Sequence, residues 1–137
     1  MGKFLGIDYG KKRIGLSITD DNKIISSPLD TVSTVGIFSF LDDFLRREEI
    51  DLIVIGMPKK LNNTDNLISK DIRVFSKKIT KKFQIPVHFV DERYTSKIAS
   101  TIIVSSHLKR MKRRDKKIVD KISASLILET YLNLIKK

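Results

Sequence analysis

The hydrophobic positions of this chain change their spacing several times, and each spacing predicts a different element. In RIGLSIT, apolar residues alternate with small ones, as in a strand with one face on a core. VGIFSFLDDFLRREEI carries apolar residues at helical spacing instead. DLIVIGMP is apolar throughout until a glycine and a proline end it, which is typical of a strand buried on both faces.

Applied to the whole chain, this reasoning predicts five strands and four helices. The strands are expected at Lys3–Asp8, Arg13–Thr19, Ile24–Ser27, Asp51–Pro58 and Pro86–Glu92. The helices are expected at Thr34–Glu49, Thr64–Phe83, Thr95–Leu108 and Ile118–Ile135. The order β-β-β-α-β-α-β-α, in which the last α stands for the two consecutive final helices, predicts an α/β protein with a mixed five-stranded sheet flanked by helices. It matches the ribonuclease H-like architecture, in which the first strand is central.

Length and composition restrict the class of protein. The chain has 137 residues, of which 41% are hydrophobic, and it shows no linker or repeat, so one domain over residues 1–137 is expected. No apolar run approaches the roughly 20 residues of a membrane span, and the first residues lack the apolar core of a signal peptide. Cysteine is absent, which excludes disulfides and thiolate metal sites. We therefore expect a cytoplasmic protein without a membrane partner.

The charge balance points to a polyanionic partner. The 27 Lys and Arg residues outnumber the 16 Asp and Glu residues, which gives a net charge of +11. A basic chain of this size is attracted to nucleic acid above all. The alternative is a composition bias, because isoleucine, lysine and asparagine are all abundant and lysine is tolerated at most surface positions.

Three acidic residues lie at positions that this topology would bring to one edge of the sheet. Asp8 lies near the end of the first strand, Glu92 follows the last strand, and Asp120 lies early in the final helix, in line with its apolar residues. Strands of open α/β sheets present their carboxyl ends at one edge, where ligands bind. Three carboxylates would repel one another there unless cations joined them. With only two histidines and no cysteine, we expect Mg²⁺ or Mn²⁺, in a two-ion site of the kind that cleaves phosphodiesters.

Each acid also has a plainer explanation. Asp8 could brace the YGKK turn, Glu92 could form an ion pair with Arg93, and Asp120 could be a helix N-cap. Taken singly, the last two of these are favoured. Only the three acids together, at these places in the topology, indicate a catalytic and metal-binding site.

The remaining motifs are less specific. The segment HLKRMKRRDKK is either a basic arm that grips phosphates or a solvated loop whose charge is incidental. Its candidate nucleic-acid-binding residues are Lys109, Arg110, Lys112, Arg113 and Arg114. The lysines between positions 77 and 82 are interpreted as a solvated helix face, His88 as a strand histidine with a hydrogen-bond partner, and Tyr9 as a packing residue.

Nucleotide-binding alternatives fit less well. GKKRIGLS fails as a P-loop, because Leu16 stands where the phosphate-binding lysine belongs. GIDYG resembles the first strand of the actin and Hsp70 ATPases, which share the ribonuclease H-like core. Those ATPases close two such domains over ATP, and 137 residues supply one.

Five motifs, taken together and in this order, resemble the YqgF family, whose bacterial members have a ribonuclease H-like fold. Nuclease activity on Holliday junctions or on precursor 16S ribosomal RNA is attributed to this family. The motifs are GIDYGKKRIGLSITD, IVIGMP with NNTD, RVFSKKI, VDERYTS and VDKISASLILETYL. The likeness covers essentially the whole chain. One departure is Asn63, which stands where the family usually has glycine, and Lys59 and Lys60 alter the charge of the same loop.

This resemblance implies residue roles and a function. Asp8, Glu92 and Asp120 match the family's metal ligands, while Lys12, Arg93 and Thr95 match positions that contact phosphate or orient Glu92. The implied function is a Mg²⁺- or Mn²⁺-dependent endonuclease that trims the 5′ end of precursor 16S rRNA. One alternative is resolution of branched DNA, which calls for a symmetric dimer. Another is a non-catalytic nucleic-acid-binding factor in ribosome assembly. Both a monomer and a homodimer are compatible with the sequence.

Overall fold

The computed structural model describes residues 2–58, 63–91 and 116–135, and it describes side chains within 2–58, 67–91 and 117–135. The strands are β1 (Lys3–Tyr9), β2 (Arg13–Thr19), β3 (Ser26–Ser33), β4 (Ile50–Met57) and β5 (Val87–Asp91). The described helices are α1 (Ile37–Arg47), α2 (Asn63–Phe83) and α3 (Lys116–Ile135). The expected helix at Thr95–Leu108 lies outside the described residues.

The five strands form one mixed sheet in the order β3-β2-β1-β4-β5. β2 pairs antiparallel with β1 and with β3, whereas β4 pairs parallel with β1 and with β5. The first strand is therefore central and the later part of the sheet is parallel, as the order of elements predicts.

Helices cover both faces of this sheet. On one face, α1 and α2 pack on β1, β2 and β4, and the buried side chains include Leu5, Ile7, Leu16, Leu41, Ile55, Phe75 and Ile79. On the other face, α3 packs through Ile127 and Leu128 against Leu52, Val54 and Val90. β4 contributes to both clusters, which explains its continuous apolar sequence. No helix in the described part of the chain is both long and apolar enough to cross a membrane.

The third strand corrects the expectation of Ile24–Ser27, since it runs from Ser26 to Ser33. Ile24 and Ile25 lie before it because their backbone N–H groups donate to Oδ1 of Asp20, both at 2.8 Å. The strand continues through Pro28, where its register with β2 shifts. Proline lacks a backbone donor, but an edge strand with an irregular register tolerates it.

The first helix begins at Ile37 and ends at Arg47, so it is shorter than the expected Thr34–Glu49. Thr34 is held outside the helix by the turn between β1 and β2. Its backbone N–H donates to Lys12 O at 2.9 Å and its hydroxyl donates to Gly10 O at 2.7 Å. These two bonds attach the start of α1 to the end of β1.

α3 approaches the β1–β2 hairpin closely because two glycines of the hairpin, Gly6 and Gly15, face the helix. A β-carbon at Gly6 would lie 3.0 Å from both Ala124 O and Leu128 Cβ, and it would overlap the hydroxyl of Ser17. That hydroxyl, which is fully buried, donates to Ala124 O at 2.7 Å. The helix thus packs directly on the backbone of β1, and one polar contact fixes its position along the strand.

Two hydroxyls of β3 extend the same arrangement. The Ser26 hydroxyl donates to Ser125 O at 2.7 Å, and the Thr31 hydroxyl donates to Lys117 O. α3 therefore accepts side-chain hydrogen bonds along its first half, in addition to its apolar contacts with β4 and β5.

Gly6→Ala tests the close packing of α3. We expect the free energy of unfolding, measured by urea denaturation, to fall by about 1–3 kcal/mol because the added methyl group overpacks a tight contact. Gly36→Ala is the matched control, since a β-carbon there would meet only the Ser33 side chain within 3.0 Å. Its effect should stay within about 0.5 kcal/mol. Equal urea midpoints for the two variants would contradict the close packing.

Asp20 provides a pH-dependent test of the β2–β3 turn. Hydrogen bonds from the backbone N–H groups of Ile25 and Ile24 lower the pKa of Asp20. A carboxylate with a lowered pKa stabilises the fold above its ordinary pKa of about 3.9, and this stabilisation disappears as the pH falls through the folded-state pKa. We therefore expect Asp20→Ala to destabilise the protein at about pH 7 and the difference from wild type to shrink below about pH 3.

The matched variant for this test is Asp20→Asn, which keeps an oxygen acceptor without the charge. Its difference from wild type in urea denaturation should be smaller at neutral pH and should also shrink on acidification. A difference for Asp20→Ala that is the same at both pH values would mean that the charge of Asp20 does not stabilise the turn.

Candidate active site

The parallel strands end together at one edge of the sheet. β1 ends at Tyr9, β4 at Met57 and β5 at Asp91, and we call this side of the molecule the carboxyl edge. Asp8 is the penultimate residue of β1 and is half-buried. It therefore lies at the centre of the carboxyl edge, because β1 is the central strand.

The side chain of Asp8 lies on the face of the sheet that α3 covers. Side chains two residues apart in a strand share a face, and Gly6 contacts α3. Asp8 pairs directly with Gly15 of β2, and directly paired residues also share a face. A β-carbon at Gly15 would overlap the backbone carbonyl of Asp120. Gly15 thus lies beside Asp8 in the sheet and against the backbone of Asp120, so one glycine has both acids as neighbours.

Asp120 lies inside α3, one turn after the helix begins at Lys116. The alternative that it is the N-cap of this helix is therefore wrong. Its Oδ2 accepts a hydrogen bond from Nε of Arg13 at 2.8 Å, and the two side chains are 24% and 33% exposed respectively. This ion pair joins α3 to the first residue of β2.

Arg13 is the site residue that the sequence analysis missed. It occurs in a run of three basic residues after Gly10, and such a run is typical of a solvated turn. The available signal is the strand alternation, because Arg13, Gly15 and Ser17 share one face of β2. The guanidinium donates to Asp120 through Nε. The remaining N–H groups of a guanidinium lie in the same plane and are a common binding group for phosphates in proteins.

The other predicted site residues divide into two groups. Lys12 lies in the exposed turn between β1 and β2, at the carboxyl edge, and its carbonyl accepts the Thr34 N–H. Glu92 and the remaining candidates lie outside the described residues; these are Arg93, Thr95, Lys109, Arg110, Lys112, Arg113 and Arg114. The described part of the site thus consists of Asp8, Asp120, Arg13 and Lys12.

This donor set suits a hard divalent cation. Among residues 2–58, 67–91 and 117–135, no three His, Asp or Glu side chains are grouped closely enough to hold a metal ion. Asp8 and Asp120 supply carboxylate oxygens, which Mg²⁺ and Mn²⁺ prefer. Arg13 uses one lone pair of Oδ2 of Asp120, and an ionised carboxylate has further lone pairs that can bind a cation. That Asp8, Asp120 and Glu92 hold a metal together stays a prediction, and Glu92 lies outside the described residues.

His88 and Tyr9 take the packing roles that their patterns predict. Nδ1 of His88 lies 2.7 Å from the hydroxyl of Tyr131 on α3. The ring of Tyr9 packs 4.9 Å from the ring of Phe75, on the face that α1 and α2 cover. Burial raises the pKa of Tyr9, with a further contribution from the charge of Asp71, so its phenol stays protonated at neutral pH.

Comparison with known proteins identifies relatives over nearly the whole chain. A family model described as "RuvX: Holliday junction resolvase" matches residues 2–134. A protein of Christiangramia forsetii named "Putative pre-16S rRNA nuclease" is 42% identical over 133 residues, which are 96% of this chain and 98% of that protein. A Porphyromonas gingivalis protein of the same name is 43% identical over 134 residues, covering 97% of each chain.

Solved structures share the fold at much lower identity. T. thermophilus RuvC, in complex with a Holliday junction substrate, has a TM-score of 0.64 and 14% identity, covering 99% of this chain and 96% of that one. The Fowlpox virus resolvase, in complex with Holliday junction DNA, has a TM-score of 0.59 and 13% identity, with 98% and 99% covered. The predicted ribonuclease H-like fold, with its mixed five-stranded sheet, is thereby confirmed.

A double-mutant cycle tests the contact between β2 and α3. We expect Arg13→Ala, Asp120→Ala and the double variant to give a coupling free energy of about 1 kcal/mol in urea denaturation, because the pair is partly shielded from water. The matched control is the exposed pair of Asp43 and Arg47 on α1, at 3.3 Å. Its coupling should not exceed about 0.5 kcal/mol. Additive effects at Arg13 and Asp120 would show that this pair does not position Asp120.

Proposed function

This chain belongs to the RuvX family of nucleases, also called YqgF, and on that basis we propose that it is a metal-dependent endonuclease of structured RNA. The proposed substrate is the 5′ end of precursor 16S rRNA. The observation that supports this most directly is the contact of Gly15 with both Asp8 and the backbone of Asp120 at the carboxyl edge.

The proposed metal ligands are Asp8, Asp120 and Glu92, and the cations are Mg²⁺ or Mn²⁺. Such ions, when bound, activate water and neutralise charge on a leaving phosphate oxygen. Water is the proposed nucleophile, and the O3′–P or O5′–P bond of the backbone is the bond that is cleaved. Arg13 is proposed as a positioning residue, since its hydrogen bond to Oδ2 of Asp120 restricts the orientation of that carboxylate.

The choice of RNA rests on the relatives that are about 40% identical, whose printed name refers to pre-16S rRNA. The second candidate substrate is branched DNA, which the description of the matching family favours. The two candidates share the proposed chemistry and differ in the contacts that distinguish a 2′-hydroxyl. Resolution of a junction would additionally call for a symmetric dimer making paired cuts.

A cleavage assay with two substrates tests the function. Purified protein would be incubated with precursor 16S rRNA or a four-way DNA junction, with Mg²⁺, with Mn²⁺ or with EDTA. We expect metal-dependent cutting of the RNA. Asp8→Asn should slow it by more than the roughly 10–100-fold that loss of an outer-shell partner costs, because a ligand itself is removed. Arg13→Lys should slow it by about 10–100-fold, since lysine keeps the charge without the planar fork.

Asp43→Asn is the control for this assay, because Asp43 lies on α1 and its side chain is 73% exposed. It should cut at the wild-type rate. If the protein cuts the junction in preference to the RNA, and Asp8→Asn abolishes this cutting, the substrate is branched DNA. If wild type binds RNA in a salt-dependent manner but cuts neither substrate with either metal, the protein is a binding factor and the nuclease proposal is wrong.

A further inference from the structure

A groove between α1 and α2 begins at the carboxyl edge, on the face of the sheet opposite to Asp8. Its inner part is a cavity of about 340 Å³ lined by Tyr9, Thr34, Ile37, Phe38, Asp71, Val74, Phe75 and Lys78. That volume lies at the lower end of the roughly 300–1,000 Å³ of ligand-binding clefts. We call this cavity and its continuation the α1–α2 groove.

The groove continues outward as a shallow, open depression of about 680 Å³. The depression is lined by Phe38, Lys78, Lys81 and Lys82. Phe38 and Lys78 line both parts, so the two are contiguous. The groove therefore runs from the end of β1 along one side of α2, with an aromatic floor and lysines along its rim.

We propose that the α1–α2 groove binds a single-stranded segment of the nucleic acid that is cut at the carboxyl edge. This inference rests on the proposed nuclease function and adds a second contact region for its substrate. Bases would contact the aromatic floor, and phosphates would contact Lys78 and Lys81. Every base has an aromatic face, so such binding does not depend on sequence.

The positions along β1 connect the groove with the active site. Asp8 and Tyr9 are consecutive, and consecutive strand residues face opposite sides of the sheet. Thr34, on the wall of the groove, is bonded to the turn that carries Lys12. A strand of nucleic acid held at Asp8 thus needs only to cross the β1–β2 turn, with its exposed Lys11 and Lys12, to enter the groove.

The ion pairs of the groove identify which lysines would bind phosphate. Lys82 lies 3.3 Å from Asp42 and sits over the rings of Phe38 and Phe83, at 5.9 and 5.7 Å from their centres. It is therefore already held by the protein. Lys78 and Lys81 are exposed, and within the described part of the chain they form no ion pair. These two charges are the ones that a polyphosphate would neutralise.

The charges at the inner end of the groove favour a base over a phosphate. Asp71 lies there and would repel a phosphate, but its carboxylate can accept a hydrogen bond from an exocyclic amino group. The phenol of Tyr9 is a hydrogen-bond donor beside it. A second copy of this chain is a poor occupant of the outer part, because its own lysines would be brought against Lys78, Lys81 and Lys82.

Fluorescence anisotropy with a labelled single-stranded RNA of roughly 12 nucleotides, in EDTA, tests the groove without cleavage. We expect the double variant Lys78→Ala/Lys81→Ala to bind about tenfold more weakly. The plot of log K against log salt should become shallower by about 1.4, since each single-strand phosphate contact contributes about 0.7. Phe38→Leu should weaken binding by about fivefold with an unchanged salt slope, because leucine fills the floor but offers no ring for stacking.

The matched control is Lys70→Ala/Lys77→Ala, which removes the same charge from exposed positions of α2 that do not line the groove. It should change affinity by less than about twofold. Equal losses in the two double variants would overturn the groove in favour of a general charge effect. If the Lys78→Ala/Lys81→Ala variant loses as much affinity for duplex RNA as for single-stranded RNA, the groove does not select a single strand.

Binding in the α1–α2 groove and nuclease activity can be lost independently of each other. Normal RNA binding and normal cutting by Lys78→Ala/Lys81→Ala would overturn the groove and leave the nuclease in place; the lysines would then serve another partner, such as an acidic protein surface. Loss of RNA binding in this variant, in a protein whose wild type cuts neither substrate, would support the groove and contradict the nuclease.

Discussion

The close approach of α3 to the β1–β2 hairpin is the constraint on which the candidate site depends. At Gly6 and Gly15 no side chain separates the strands from the helix, and a β-carbon at Gly15 would overlap the backbone of Asp120. The buried Ser17 hydroxyl, bonded to Ala124 O, fixes the helix along its axis. A shift of α3 by even one residue would move the Asp120 backbone away from Gly15, and Arg13 would lose its partner.

The central strand supplies two different surfaces at the same edge of the sheet. Asp8 faces α3, whereas the next residue, Tyr9, faces α1, α2 and the groove between them. This division follows from the period of two in a β-strand. It places Asp8, a candidate metal ligand, beside a basic and aromatic groove on the opposite face of the same sheet.

Local sequence patterns predict the order of strands and helices well, but they do not predict which side chains bond to distant backbone groups. The strands with regular alternation or continuous apolar sequence were predicted correctly, as was the central place of β1. The errors arose where side chains compete with the regular hydrogen bonds. Asp20 binds the backbone N–H groups that would have begun β3 early, and Thr34 is bonded to the β1–β2 turn and so stays outside α1. The spacing of hydrophobic residues does not show such side-chain to backbone hydrogen bonds.

The sequence by itself determined the layered α/β fold and the excess of basic charge, because periodicity and residue type report burial and charge locally. The metal-binding role of Asp8 and Asp120 stays a prediction from the sequence. The five motifs also identified the right family from the sequence. Only the tertiary structure decided that Arg13 binds Asp120 and that Gly15 joins Asp120 to Asp8, since these partners are about a hundred positions apart. It also decided that lysines interpreted as a solvated face line a groove. Packing of α1 against α2 creates that groove, and neither helix contains it alone.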